Sequence, residues 1–284
     1  MNSLSGSTDM ATLVAWVLGL LALVGYAAAT WPIEARSRWP AGALAAAWVA
    51  HGLALVVDIG GLGEAQRGTR FGFAPALSVT VWLVLAMHAV ESRFVPLPGV
   101  RRLLAVAGSA VVLLTLVFPG DVQVHVGSPW VPLHWLLGVA SYGLFGAAVL
   151  HATLLDAAER QMRPRAGRPP PAPGGVLPAP LGLPLMRLER LTFRFVDAGF
   201  VVLSAALLLG IGSTLQGPAP WRWDHKTVFS LLGWGTVAVL MVGRHLRGWR
   251  GRHATRWLYV GAALLLLAYI GSRFVLEVLL GRLS

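Results

Sequence analysis

With no cysteine anywhere in its 284 residues, this chain leaves most of its possible ligand chemistry to eight histidines. The same absence excludes a disulfide framework, a thiolate zinc site, an iron–sulfur cluster, a thiol nucleophile and a C-x-x-C-H haem attachment. Two histidines stand among unusual neighbours. His134 follows Pro129-Trp130-Val131-Pro132, and His225 follows Pro220-Trp221-Arg222-Trp223-Asp224 and precedes Lys226. Two imidazoles offer axial nitrogens, the indoles of Trp221 and Trp223 offer flat polarizable walls, and Arg222 and Lys226 attract carboxylates. A flat, apolar, dianionic molecule suits that set, and haem b is one. The same residues also suit an interfacial aromatic belt with imidazoles at headgroup depth. Below His134 at helical spacing come Gly138, Ser141 and Tyr142, and below His225 come Phe229 and Gly233. The two glycines give room for a planar ring or for another helix.

The other histidines and charges carry competing readings. His51 lies within an apolar stretch, as a ligand or proton carrier or as a neutral ring bonded to a neighbouring helix. His88 and His151 form a second, inner site if their stretches pack together. His125 falls on the outward side with His134 and His225, while His245 and His253 sit in a basic loop. Asp58 and Asp197 are further charges within apolar stretches, and Arg273 and Glu277, four apart, pair on one helical face. There is no Ser/His/Asp order, H-x-x-x-H, phosphate loop or dinucleotide fingerprint, so the chain does not read as an enzyme.

These residues must be positioned by membrane-spanning helices. Apolar residues make up 56% of the chain and charged residues 12%, against about 25% charged in a soluble domain. That excludes disordered and DNA-binding classes despite the net charge of +11. A span needs about 20 apolar residues, and eight stretches qualify: 10–30, 41–60, 72–90, 103–118, 133–156, 191–213, 225–243 and 257–280. The fold class is therefore all-α, a polytopic membrane protein of eight transmembrane helices forming one integral membrane domain. The first stretch lacks a basic flank and a cleavage signal and is expected to remain as an uncleaved helix.

Most of the 23 basic residues fall after the first, third, fifth and seventh stretches, among them Arg36, Arg93, Arg101, Arg102, Arg187, Arg244 and Arg250. Positive loops stay cytoplasmic, so both termini are expected outward, in the periplasm of a bacterium with the chain in its inner membrane. Residues 157–186, rich in Pro, Gly and Arg, read as an extended cytoplasmic linker whose arginines also suit anionic lipid headgroups.

At the W-x-W-D residues the sequence resembles the cytochrome c assembly (CcsA/HemX-like) membrane protein family. Trp221-Arg222-Trp223-Asp224-His225-Lys226 is similar to the core of that family's tryptophan-rich signature, and His134 through Ser141-Tyr142 to its outward histidine and following helix. Arg187-Leu188-Glu189-Arg190, Gly248-Trp249-Arg250-Gly251-Arg252 and the segment from Leu267 to Glu277 resemble the YpjD-like inner-membrane branch. The resemblance implies haem handling at the outward face in support of cytochrome c maturation, with His134 in the place of the outward histidine. This sequence departs from full synthases in four respects, one being that their proline-lysine-glutamate is His225-Lys226-Thr227 here. No outward histidine follows the signature at the end of the last stretch, the membrane histidine expected near Val242 is displaced to His245, and no large extracytoplasmic domain is present. His225 is the replacement ligand by position.

The expectation is a haem-binding inner-membrane protein without complete synthase activity. His134 and His225 are the axial pair, with Trp221, Trp223, Arg222 and Lys226 around the ligand. Asp224 receives an indole or imidazole N–H. Its partners are the lipid bilayer and cytochrome c maturation proteins or another inner-membrane protein, with no nucleic acid. The alternative is a transporter, or a regulatory or scaffold membrane partner with no haem, for which His51, Arg273 and Glu277 are the relevant residues.

Overall fold

A computed structural model of the protein describes residues 3–31, 39–60, 68–93, 100–124, 130–162, 185–216, 223–275 and 278. Its elements in chain order are α1 (Ser3–Thr30), α2 (Trp39–Ile59), β1 (Gly68–Phe71), α3 (Phe73–Glu91), α4 (Val100–Val117), β2 (Asp121–Val124), α5 (Trp130–Met162), α6 (Leu185–Gln216), α7 (His225–Arg247) and α8 (Gly251–Leu266). Helix α8 continues through a π-helical turn, Leu267–Gly271, into the single turn α9 (Ser272–Phe274). Among the described residues, eight helices are long and apolar enough to cross a membrane. Large apolar side chains such as Leu13, Val17, Leu20 and Val24 on α1 and Leu208 on α6 remain exposed, as they do when hydrocarbon rather than water covers them.

Several helices outrun the stretches read from hydropathy. At about 1.5 Å per residue, α5 and α6 are each about 50 Å long, well beyond a hydrocarbon core of about 30 Å. Helix-favouring Ala157, Ala158, Glu159 and Arg160 extend α5, and Met186 through Arg190 begin α6 early. The linker expected over 157–186 is therefore helical at both ends, and 163–184 lie outside the described residues. Helix α8 begins at Gly251 rather than 257 and takes in Arg252 and Arg256, whose long stems can reach a polar interface from within a helix.

Among the described residues, the one departure from an all-helical plan is small. β1 and β2 pair antiparallel, with Gly68 opposite Val124 and Phe71 opposite Asp121. β2 follows a turn at Gly120, whose φ of 80° is open to glycine at little cost. Because β1 leads into α3 and β2 precedes α5, the ribbon lies at the end of the bundle where those helices begin.

Packing divides the helices four and four. Tyr26, Ala47, Val84, Leu85, Leu104 and Ala105 knit α1 to α4. Phe145, Phe193, Val196, Val237, Leu240 and Leu258 knit α5 to α8. The α3–α5 contact joins the halves, and Phe73 packs with Ile270 of the π turn beneath the ribbon. The connection between α5 and α6 thus falls inside the second half, whose two longest helices pack closely on each other.

Candidate functional site

His134 is positioned by that close pair. Pro132 stands in the first turn of α5, where its missing N–H costs no helical bond, and His134 follows two residues later. Its Nδ1 lies 2.8 Å from the carbonyl oxygen of Ala206 on α6. A carbonyl only accepts, so Nδ1 carries a proton and donates it, which leaves Nε2 as the nitrogen that can meet a ligand. The ring packs closely against α6 because residue 210 is glycine: a Cβ there would sit 2.8 Å from the His134 Cε1 atom.

The small residues below the two histidines serve different ends. A Cβ on Gly138 would meet nothing within 4 Å, so a space opens beside α5 one turn below His134. Gly233 instead receives Leu265 of α8, which would stand 2.7 Å from an added Cβ. Gly233 is a helix-packing residue. Tyr142 donates its hydroxyl proton to the Leu265 carbonyl, at the point where the helix hands over to the π turn.

Helix α7 begins at the tryptophan-rich loop. Asp224 is its N-cap, with one carboxylate oxygen accepting from the Thr227 N–H and from the Thr227 hydroxyl, each at 2.8 Å. The carboxylate is held below its ordinary range. Burial, the largest single influence, pushes it up. The two Thr227 bonds, the Lys226 ammonium and the His225 ring together outweigh that. A carboxylate at the start of a helix finds unpaired N–H groups close at hand, and Asp224 serves as this cap whether or not it also receives an indole or imidazole N–H. His225 is exposed at the first helical position and Trp223 is 71% exposed. Trp221 and Arg222 lie outside the described residues, as does His125.

Lys226 turns toward α8. Its ammonium stands 5.9 Å from the centre of the Tyr269 ring, and the Arg273 guanidinium is an electrostatic neighbour. Arg273 in turn meets Asp121 of β2 at 3.7 Å. The expected pairing of Arg273 with Glu277 involves a residue, Glu277, that lies outside the described residues. The π turn inserts an extra residue per turn, which re-aims the side chains beyond it. Hydropathy reading missed Tyr269 and Asp121 because neither the π turn nor the ribbon has a periodic signature.

His134 and His225 therefore stand on helices that are not primary neighbours. α5 packs chiefly on α6, α3 and α8, and α7 on α8, the π turn and α6. α6 and α8 each contact both α5 and α7.

His51 is satisfied by the protein itself. Its Nδ1 lies 2.9 Å from the Tyr26 hydroxyl and its Nε2 2.8 Å from the Ser78 hydroxyl, so the buried ring ties α1, α2 and α3 together. Gly108 of α4 lies against the Tyr26 ring, leaving no room for a Cβ. Next to it, Trp48 and Trp82 stack at 4.7 Å and exchange indole N–H bonds with each other's carbonyls. Both nitrogens of His51 being occupied, a ligand role at that position is replaced by a structural one. His245 donates to the Met241 carbonyl and His253 meets the Trp249 ring edge-on, both at the Arg-rich end. Asp197 is exposed. Among the described residues, no group of three His, Asp or Glu is arranged to hold a metal ion unaided.

Comparison with known proteins gives a consistent set of relatives. The family described as "Cytochrome C assembly protein" matches residues 47–280. The chain is 27% identical to the "Inner membrane protein YpjD" of Escherichia coli (strain K12) over 275 residues, 93% of this chain and 99% of that one. It is 28% identical over 119 residues to the "Cytochrome c biogenesis protein CcsA" of Synechococcus sp. (strain JA-3-3Ab), 39% of this chain and 33% of that one. An "Uncharacterized 28.8 kDa protein in nifR3-like 5'region" of Azospirillum brasilense is 32% identical over 161 residues, 56% of either chain. No solved structure matches.

Proposed function

The chain belongs to the cytochrome c assembly protein family, and from that premise we propose that it is a multi-pass inner-membrane protein that binds haem b noncovalently at its outward face in support of cytochrome c maturation. The orientation of His134 carries this reading. Its Nδ1 proton is committed to the Ala206 carbonyl, which fixes the ring and leaves Nε2 as the metal-binding nitrogen, the arrangement usual for ligating histidines. The open space beside Gly138 lies one turn below.

His225, exposed at the start of α7, is the second axial ligand. Trp221 and Trp223 flank the ligand, and Arg222 and Lys226 face its propionates, with Arg273 adding a cation beside Lys226. Asp224 acts indirectly, by fixing where α7 begins and hence where His225 and Lys226 project. Haem, when bound, would supply a redox-active iron that His134 and His225 would hold, which suits holding or passing on the group more than oxygen chemistry. The chain's own part is to orient one imidazole, to present the other and to neutralise two carboxylates. Both termini and the tryptophan-rich loop face the periplasm, and the Arg-rich ends of α5 to α8 face the cytoplasm.

The match with YpjD along nearly the whole chain supports the inner-membrane location, and that with CcsA supports the link to cytochrome c biogenesis. The transport reading loses its principal motive in His51, whose ring nitrogens both meet protein hydroxyls.

Haem titrated into the purified protein and followed by absorption tests the proposal. Saturable binding with a shifted Soret band is expected, weakened in His134→Ala and in His225→Ala and unaffected by His51→Gln. Failure of the folded wild-type protein to take up haem would overturn it.

A further inference from the structure

A cluster of ionisable side chains toward the other end of the bundle, where α3 finishes against α5, is left unused by the haem reading. His151 of α5 is 2% exposed and His88 of α3 7% exposed. Glu91, three residues after His88 on the same helix, reaches across so that its Oε2 lies 2.9 Å from the His151 Nε2. The other nitrogen of His151 is already assigned. Nδ1 lies 2.7 Å from the Ala147 carbonyl, which can only accept, so Nδ1 holds a proton. A neutral His151 would then turn a bare lone pair at Nε2 toward a carboxylate oxygen. Two electron-rich atoms do not rest at that distance in an apolar interior.

We propose that the His88–Glu91–His151 cluster is a proton-binding site between α3 and α5, which holds one proton at the Glu91–His151 contact. The proton resides on the ring as an imidazolium facing a carboxylate, or on the carboxyl facing a neutral Nε2. Either state turns a repulsive contact into an attractive one. The contact is off the line of a good N–H bond, and Glu91 Oε1 and His88 Nδ1 find no hydrogen bond among the described residues. His88 completes the cluster as an electrostatic neighbour of Glu91 and His151.

The ionisable groups acting on His88 and His151 are each other and Glu91. From the packed elements, α6 contributes the uncharged Phe195 ring at 5.3 Å from the His151 ring. α8 contributes Thr255 and Tyr259, both bonded to Asp156 of α5. Arg101 and Arg102 open α4 at the same end of the bundle. Because the proton joins the two halves of the molecule where α3 meets α5, its loss weakens that junction. The stability it contributes is present at neutral pH and lost as pH rises through its release.

The test uses the full chain in lipid nanodiscs. Nitrogen-15 NMR of histidine-labelled protein at about pH 7, assigned with His151→Gln, reports the ring, and the infrared carbonyl band removed by Glu91→Gln reports a protonated carboxyl. A doubly protonated His151 ring is expected, or a neutral ring together with a Glu91 carboxylic acid band. A neutral ring with no such band would overturn the proposal. Glu91→Gln places an amide N–H against Nε2 and keeps the contact without a titrating proton. Its melting temperature should therefore fall less than that of the wild type between about pH 7 and about pH 9, and equal falls would contradict the site. Should Glu91→Gln not fold, His151→Gln gives the same infrared reading, since a proton seated on Glu91 would lose its acceptor and its band would move.

Discussion

His134 shows how much one hydrogen bond decides. Its Nδ1 donates to Ala206 on the neighbouring helix, and this alone selects Nε2 for any ligand. The bond depends in turn on Gly210, where an added methyl would stand 2.8 Å from the ring. Gly210→Ala is expected to push the ring off the Ala206 carbonyl and weaken haem affinity by about tenfold, in the range usual for loss of an outer partner of a metal-bound histidine. A haem titration of this variant checks it, and unchanged affinity would argue that the α6 contact does not orient the ligand. The imidazole itself was legible from sequence, because a histidine between a Trp-Pro segment and a Ser-Tyr helix is chemically conspicuous. Its acceptor was not, since a backbone carbonyl 72 residues away carries no mark in the side chains. The same limit hid the partners of His51 and the meeting of Arg273 with Asp121.

The start of α7 is governed by its cap. Asp224 accepts two hydrogen bonds from Thr227, so Asp224→Ala should cost about 1 kcal/mol of helix stability and blur the placement of His225 and Lys226. Asp224→Asn should retain most of that stability, because its amide oxygen can still cap. The wild-type cap is pH-dependent. The carboxylate is held below its ordinary range, so its stabilisation is complete above the unfolded value of about 3.9 and is lost as pH falls through the folded value. Thermal unfolding of the three proteins from about pH 6 to about pH 3 checks this: the advantage of the wild type over Asp224→Ala should shrink toward acid, and a constant advantage would contradict it. At this scale the sequence conveyed which segments are helical, because runs of apolar residues admit few other structures in a bilayer. It did not convey helix ends, since Ala, Glu and Arg prolong a helix beyond the hydrocarbon as readily as within it. The ribbon strands, four residues each, are too short for a pattern of alternation.

Across the whole molecule, two groups of four helices meet through α3 and α5, with the ribbon and the start of α7 at one end and the basic segments at the other. Hydropathy and the distribution of arginine suffice to anticipate eight spans, whereas the division of packing does not follow the Pro-rich connection and is visible only in contacts. The orientation proposed from the arginines is open to direct test, because a chain without cysteine gives a silent background for labelling. Thr214→Cys, exposed near the outer end of α6, should react in intact cells with a maleimide that enters the periplasm but cannot cross the inner membrane. Ser92→Cys, exposed after α3, should react only after that membrane is opened. The opposite pattern would invert the molecule and remove the site from the periplasm. The central claim is that two imidazoles from α5 and α7 hold one iron, and electron paramagnetic resonance of the haem-loaded ferric protein tests it most directly. A low-spin bis-imidazole signal, changed in His134→Ala and in His225→Ala, is the predicted result; a signal identical in the wild type and both variants would contradict it.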